Sequence, residues 1–470
     1  MIISARMSIL FLLLLAITSA AGQGLFEQSL DSAESENDNL YTLHGFVRSA
    51  IYTGYTSDEN KFFMQSLYSH FGLIAEVRTG TFGKGYAEFR YRGGYEFGEK
   101  FAIPELREAY TDTYLGPLNI RAGKQILSWG ASSFLNPSDQ FSPQDNTFRS
   151  PVKDDLRMGN WALRTSLMVS GTSSFDFIWL PVYQPSVLMV QPFRFPDYIE
   201  LQDYKTESSL LNESGFGFKY DLRSRLLDLQ LSYFNGYRNT PSLKTDSVAI
   251  DFTTLEPELV SLKQQPYRIH SAGVNITIPV SSYLLRTEVG WMQPVEGVAQ
   301  PELPFPEISW AVEVEQSGTN VTLVGGYYGK YILDFKENAT EAVLITSGPV
   351  NLSEMLPPGT TPTPELFDEA ISNQMSGLNR LYNYQENEFY HAVYAAASIS
   401  LFREQAELEV PGMYNFTSGE LTLMPSLKIN ITDGMSIRMG MYFLSGREHS
   451  LYDLIASELN AVYTLVEIKF

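Results

Sequence analysis

The 470-residue sequence contains no cysteine, so neither a disulfide nor a thiolate site is available to it. Charge is scarce. Asp, Glu, Lys and Arg make up 19% of the residues, against roughly 25% in an average soluble domain. Lys and Arg number 33 against 54 Asp and Glu, a formal net charge of −21, which argues against a nucleic-acid partner because phosphate backbones repel such a surface. Histidine occurs five times, and no pair has the spacing of metal ligands. Neither a G-x-S-x-G elbow nor a phosphate loop is present. No catalysis, cofactor or metal is therefore expected. Helical periodicity is nearly absent, and no run of about 18 apolar residues follows the N-terminal segment, so no transmembrane helix is expected there.

What the N-terminus does contain is Arg6, an apolar run over 9–16, and the small residues Ser19, Ala20, Ala21 and Gly22. This is the pattern of a cleaved signal peptide over 1–22. The acidic stretch 23–40 is expected to be disordered and is too short for a separate plug domain. An exported chain without a membrane helix enters a bilayer only as a closed barrel.

Aromatic residues are abundant, with 28 Tyr and 29 Phe, and period-2 alternation runs through 41–470. Leu421, Leu423, Leu427, Ile429 and Ile431 share one face, opposite Thr422, Ser426, Lys428 and Asn430. Counting such segments gives about eighteen, each about 9–12 residues, the length of a tilted membrane strand. Two of them are expected to start near Leu67 and Leu106. The connections sort by parity. One set is tight: 79–84, 116–117, 171–173, 223–225, 279–282, 317–319, 402–403 and 432–434. The other is mostly long: 128–160, 181–213, 236–267, 292–306, 331–388 and 444–459, with 415–419 a short exception. Short periplasmic turns and long outer loops produce this segregation. A soluble sandwich has no reason to show it, and a propeller would show a blade repeat of roughly 40–45 residues, which is lacking. The expected fold is all-β: an antiparallel up-and-down transmembrane barrel of about eighteen strands, with sixteen as the alternative.

The last segment places Val462, Thr464, Val466, Ile468 and Phe470 on one face. A chain ending on an aromatic of its lipid-facing row resembles the C-terminal signal of outer-membrane barrels, which implies Phe470 as a membrane-insertion signal. The implied location is the outer membrane of a Gram-negative-type bacterium, with outer-membrane lipid and the barrel-assembly machinery as partners. A homotrimer is one assembly open to such a chain.

With apolar rows outward, the opposite rows fall in the lumen. Those expected to line a pore are Arg48, Arg78, Glu88, Arg90, Arg92, Glu108, Arg121, Arg164, Arg286, Glu313 and Arg438. The arginines concentrate in the first strands; later strands offer carboxylates such as Glu313, Glu315, Glu407 and Glu409. A basic wall facing an acidic one would set up a transverse field that orients polar solutes. The long loop 128–160 is dense in turn-forming residues: Trp129, Asn136, Asp139, Asp145, Asp154, Asp155 and Arg157. Such a loop orders itself by local hydrogen bonds and is expected to fold into the barrel as a constriction. The longest loop, 331–388, carries apolar residues over 365–381 at a spacing compatible with a short helix that caps the pore or binds a partner.

The run Leu106-Arg107-Glu108-Ala109-Tyr110, then Ile120-Arg121-Ala122-Gly123-Lys124-Gln125, then Trp129-Gly130 and Asn136-Pro137 with Asp139, resembles the core of porin-like barrels and alginate-export-like channels. Lys124 stands where an Arg is usual. The resemblance implies a passive or substrate-selective channel for small polar or charged solutes. Two other readings stay open: a transporter of hydrophobic compounds, which would show an apolar lumen and a lateral opening, and a structural or adhesive barrel.

Overall fold

A computed structural model describes residues 40–56, 61–189, 197–202, 214–251, 253, 256–295, 302–337 and 363–470. The expected signal peptide and most of the acidic stretch after it lie outside the described residues.

The first half of the barrel is built from β1 (Tyr41–Thr56), β2 (Lys61–Thr79), β3 (Gly83–Glu96), β4 (Glu99–Leu115), β5 (Leu118–Gln125), β6 (Asn160–Ser170) and β7 (Ser173–Leu180). Between β7 and the next barrel strand lies the short β8 (Ile199–Leu201). The barrel resumes with β9 (Gly215–Arg223) and β10 (Asp228–Tyr237); β11 (Ser242–Asp251) and β12 (Glu256–Gln265) again leave it. It continues through β13 (Arg268–Val280), β14 (Tyr283–Pro294), β15 (Glu307–Ser317), β16 (Val321–Ile332), β17 (Phe389–Leu401) and β18 (Ala406–Asn415). The remaining strands are β19 (Glu420–Leu423), β20 (Ser426–Thr432), β21 (Met435–Ser445) and β22 (Ala461–Lys469). β19 and β20 are halves of one strand, since both pair with β18 on one side and β21 on the other. The main sheet is therefore a closed antiparallel barrel of 18 strands. Closure comes from β22 pairing with β1, finished by Phe470 N donating to Gly45 O (3.0 Å) and Gly45 N to Phe470 O (2.8 Å).

Alternation sends apolar side chains out and polar ones in. On β14, Val289 is 38% exposed and Glu288 0%. On β15, Val312 is 38% exposed and Glu313 1%. A soluble protein does not leave a continuous apolar belt in water; a bilayer covers it. No described helix is long and apolar enough to cross a membrane.

The parity of the connections holds, with an addition to the short exception: 97–98 also joins its strands tightly, and the four residues between β1 and β2 lie outside the described residues. The reason is strand length. β1 to β4 have 16, 19, 14 and 17 residues, while β5 has 8, so the first hairpins spend as strand what later ones spend as loop. The starts expected at Leu67 and Leu106 fall inside β2 and β4 for a related reason. The β1–β2 register passes from Tyr52↔Ser66 to Thr53↔Met64, leaving Gln65 as a bulge. The β3–β4 register passes from Glu88↔Glu108 to Phe89↔Leu106, leaving Arg107 as a bulge. A bulge breaks period-2 alternation and lets two neighbouring residues face the same side.

Over the end with the long connections sits a lid. β11 pairs with β12, and β12 with β8, in a small separate sheet. Helix α1 (Pro364–Tyr382) occupies the expected helical stretch, with Thr363 as N-cap, and α2 (Leu451–Leu459) precedes β22. Leu188, Leu243, Val260, Leu262, Phe367, Ile371, Met375 and Leu451 share one apolar core. Asn379 of α1 holds the sheet edge as a strand would, accepting from Leu243 N (2.8 Å) and donating to Leu243 O (2.7 Å).

If the outward row faces lipid, Val312→Arg should cost about 2–4 kcal/mol, the range for a cation near the bilayer midplane. Urea unfolding in lipid vesicles measures it; an unchanged midpoint would place Val312 elsewhere.

Candidate functional site

An unfilled lumen of this size would be wet, yet Glu288 has no exposure at all. What covers it is the connection 126–159, which leaves β5, crosses the barrel and returns to β6. Little of it is regular beyond one 3-10 turn, Lys153–Leu156. Local bonds order the rest: Asp139 N to Asn136 O (3.2 Å), Ser142 N to Asp139 Oδ1 (3.3 Å) and Thr147 N to Asp145 Oδ1 (3.0 Å). Trp129 is buried against Phe141 (4.7 Å between ring centres), which meets Phe234 of β10.

On one wall the loop presents donors to carboxylates. Glu288 accepts from Ala131 N (2.9 Å), Ser132 N (3.1 Å), Ser138 N (2.8 Å) and Ser138 Oγ (2.7 Å). Four bonds occupy about all the acceptor positions a carboxylate has. Glu313 accepts from Ser133 N (3.2 Å) and Ser133 Oγ (2.7 Å) and is also bound by Arg286 (2.5 Å). The backbone comes so close here that a Cβ on Gly290 would lie 2.2 Å from Pro137 O.

On the opposite wall the loop presents acids to arginines. Asp155 is gripped by Arg48 (2.8 Å), Arg90 (2.9 Å) and Ser150 Oγ (2.6 Å). Burial pushes the Asp155 carboxyl up, but the Arg48 and Arg90 guanidiniums outweigh that and hold it below its ordinary value. Arg107 reaches Asp154 (2.7 Å) and the carbonyl of Arg157 (3.2 Å) and faces Glu88 (3.3 Å). Arg92 binds Asp145 (3.4 Å) and lies over the Phe148 ring (3.9 Å). Arg149 donates to Gln65 and to Leu459 O (2.7 Å).

The basic and acidic walls thus both face this loop, whose own polarity complements each. Other residues expected in the pore pair along the wall: Arg121 with Asp112 (2.8 Å), Arg164 with Asp176 (2.7 Å) and Arg438 with Glu409 (2.5 Å). Arg78 sits exposed near the short-turn end of β2. The residues behind the channel resemblance stiffen the loop's base. Glu108 accepts from Ile126 N (2.7 Å), and Lys124 Nζ donates to Leu106 O (2.7 Å) beside the bulge. Gln65 and Arg107 were not expected among lumen groups. Both are bulge residues, which an alternation count assigns to the wrong face. Arg149 and Lys153 were visible only as loop cations.

Beside the loop remains a cavity of about 700 Å³. Loop residues Phe134, Arg149, Val152 and Lys153 bound it on one side. Val324, Ala396, Ala397, Pro411 and Met424 of the β16–β20 wall bound it on the other, with the Arg438–Glu409 pair at its edge. Lys153 Nζ donates to Ser133 O (3.1 Å), so its partner is uncharged, as are both of Arg149's.

Residues 38–347 match the model of a family described as Protein of unknown function (DUF1302), well over half of the chain. The chain belongs to the DUF1302 family. The matched part of this DUF1302 barrel contains the whole tethered loop; the cavity wall from β17 onward lies outside it. No curated protein matches the sequence. Among solved structures, the DUF1302 barrel is similar to a BenF-like porin from Pseudomonas fluorescens Pf-5 (TM-score 0.52, 8% identity, 92% of this chain and 98% of that one). It is also similar to Acinetobacter baumannii OccAB1 (TM-score 0.51, 8% identity, 93% and 99%) and to Pseudomonas aeruginosa OpdQ (TM-score 0.51, 9% identity, 92% and 98%). At such identities the likeness establishes a shared barrel fold.

Removing one partner of a buried ion pair costs about 3–5 kcal/mol. Asp155→Asn should fall near 3 kcal/mol, because Arg48 keeps Glu467 and Arg90 keeps Glu88. Faster tryptic cleavage at Arg149, Lys153 and Arg157 in the folded barrel is the readout. The same anchor has a pH signature. A carboxylate depressed by folding stabilises above its unfolded value, about 3.9, and loses that contribution as pH falls through the lower folded value. Hydrogen exchange of 145–157 should therefore stay slow from neutrality to about pH 4 and quicken only below it; release at pH 5–6 would contradict the Asp155 assignment.

Proposed function

We propose that the DUF1302 barrel is an outer-membrane channel for passive or substrate-selective diffusion of small polar or charged solutes, which pass beside the tethered loop rather than through the middle of the lumen. The observation that carries this reading is the loop fixed to two opposite walls with open space left on one flank. Arg48, Arg90, Arg92, Arg107, Glu288 and Glu313 then act as anchors. Selectivity falls to the groups that border the open flank: Lys153, Arg149 and the Arg438–Glu409 pair. No enzymatic role enters this reading. The outer face rests in outer-membrane lipid, and the half-exposed Phe470 ring, stacked on Phe71 at 6.3 Å, is the end that the barrel-assembly machinery would read. The likeness to a barrel that is itself called a porin supports the class of function without naming a solute.

Planar-bilayer recording tests the reading. The wild-type barrel should conduct KCl, and Glu288→Ala with Glu313→Ala should raise and roughen the current by freeing the loop. Lys153→Glu should shift selectivity towards cations, since a charge reversal at a constriction acts on ions at close range. A wild-type barrel that never conducts would favour a structural or adhesive role.

A further inference from the structure

The cavity touches the barrel wall where that wall is least closed. Strands β18 and β19–β20 are paired on both sides, yet Pro411 and Pro425 stand in their interiors. Proline has no N–H to give a ladder and is ordinarily confined to edges and bulges. Pro104 of β4 follows that rule: it pairs with β3, but β4 meets β5 only from Ala109 onward. Pro411 and Pro425 do not. Met424 N donates to Pro411 O and Met441 N to Pro425 O, each at 3.0 Å. The reciprocal bonds of these antiparallel pairs, to Met424 O and Met441 O, lack a donor. One strand is thus short of a rung on each flank, at adjacent residues, and this is where it breaks into β19 and β20. Inside a bilayer no water replaces a missing backbone bond, so this is the weak seam of the wall.

Three residues of the seam and its neighbour, Ala396, Pro411 and Met424, also line the cavity. The strand side of that cavity is mainly apolar, at Val324, Ala396, Ala397, Pro411 and Met424, with Arg438 already held by Glu409 at its edge, while Lys153 and Arg149 stand on the loop side. A volume of about 700 Å³ suits a small organic ligand, for which pockets run about 300–1,000 Å³.

We propose that the wall parts at Pro411, Met424 and Pro425 to pass an amphipathic acid between the cavity and the bilayer. The apolar body lies along β16–β20 and the anionic head is held by Lys153 and Arg149. Ladder bonds above and below the seam keep the barrel closed around it, so the opening is local. This route is separate from axial passage and does not require it.

The chain has no cysteine, so a disulfide introduced across the seam is unambiguous. Gly412 and Leu423 stand directly opposite each other on β18 and β19. In vesicles, the wild-type barrel should speed transfer of a fluorescent dodecanoic acid from solution into the membrane. The oxidised Gly412→Cys/Leu423→Cys barrel should fall to the rate of protein-free vesicles and recover on reduction. Arabinose-driven swelling, which reads axial passage, should not change. Pro411→Val with Pro425→Thr restores both N–H donors and should slow dodecanoate transfer without a crosslink. Dodecanoate transfer that is equal in oxidised and reduced protein, or untouched by restoring the donors, or no faster than without protein, overturns the lateral route. Loss of swelling with dodecanoate transfer intact would instead count against the axial channel and leave this route standing.

Discussion

A buried carboxylate must have its charge answered by protein, and two of the buried carboxylates in this barrel fix the path of its inner loop. Glu288 is answered by amides and hydroxyls, Asp155 by two guanidiniums. Both answers come through one loop, so the loop's path is fixed by the demand of the walls as much as by its own sequence. An uncompensated buried charge costs several kcal/mol, which makes every partial detachment of the loop expensive and holds it in one place.

This arrangement changes what the lumen charges do. Opposed walls of arginine and glutamate in an empty pore would make a field for solutes to sense. With a loop of complementary polarity between them, most of that field is spent within a few ångströms on hydrogen bonds and ion pairs. On the loop itself, the charges on Lys153 and Arg149 have uncharged partners and border the open flank. On the proposed channel reading, selectivity belongs to the loop's open flank, and the more numerous wall charges are scaffolding.

The strands were legible because alternation is a local signal, and it is strongest in the middle of the barrel, where lipid and lumen differ most. It failed at Gln65 and Arg107, where a bulge turns a residue inward out of turn. Those two are also the residues that grip Arg149 and Asp154, so the pattern broke where the wall reaches for the loop. The loop's turn chemistry was readable from Asn136, Asp139 and Asp145, but not its partners. That Glu288 would meet Ser138 across 150 residues of chain follows from barrel closure and register, which no window of sequence contains. The same holds for the Pro411–Pro425 seam: each proline alone is unremarkable until β18 and β20 are known to be neighbours.

The lid carries one more consequence. Its core draws Leu188, Leu262, Phe367 and Leu451 from four different connections, and Asn379 stitches α1 to β11. Four segments that share a core cannot loosen one at a time, so the mouth of this barrel behaves as a single panel. Variation among related chains would be tolerated on the outward surface of that panel and resisted on its inner seam, and any motion that clears the mouth must carry all four segments together.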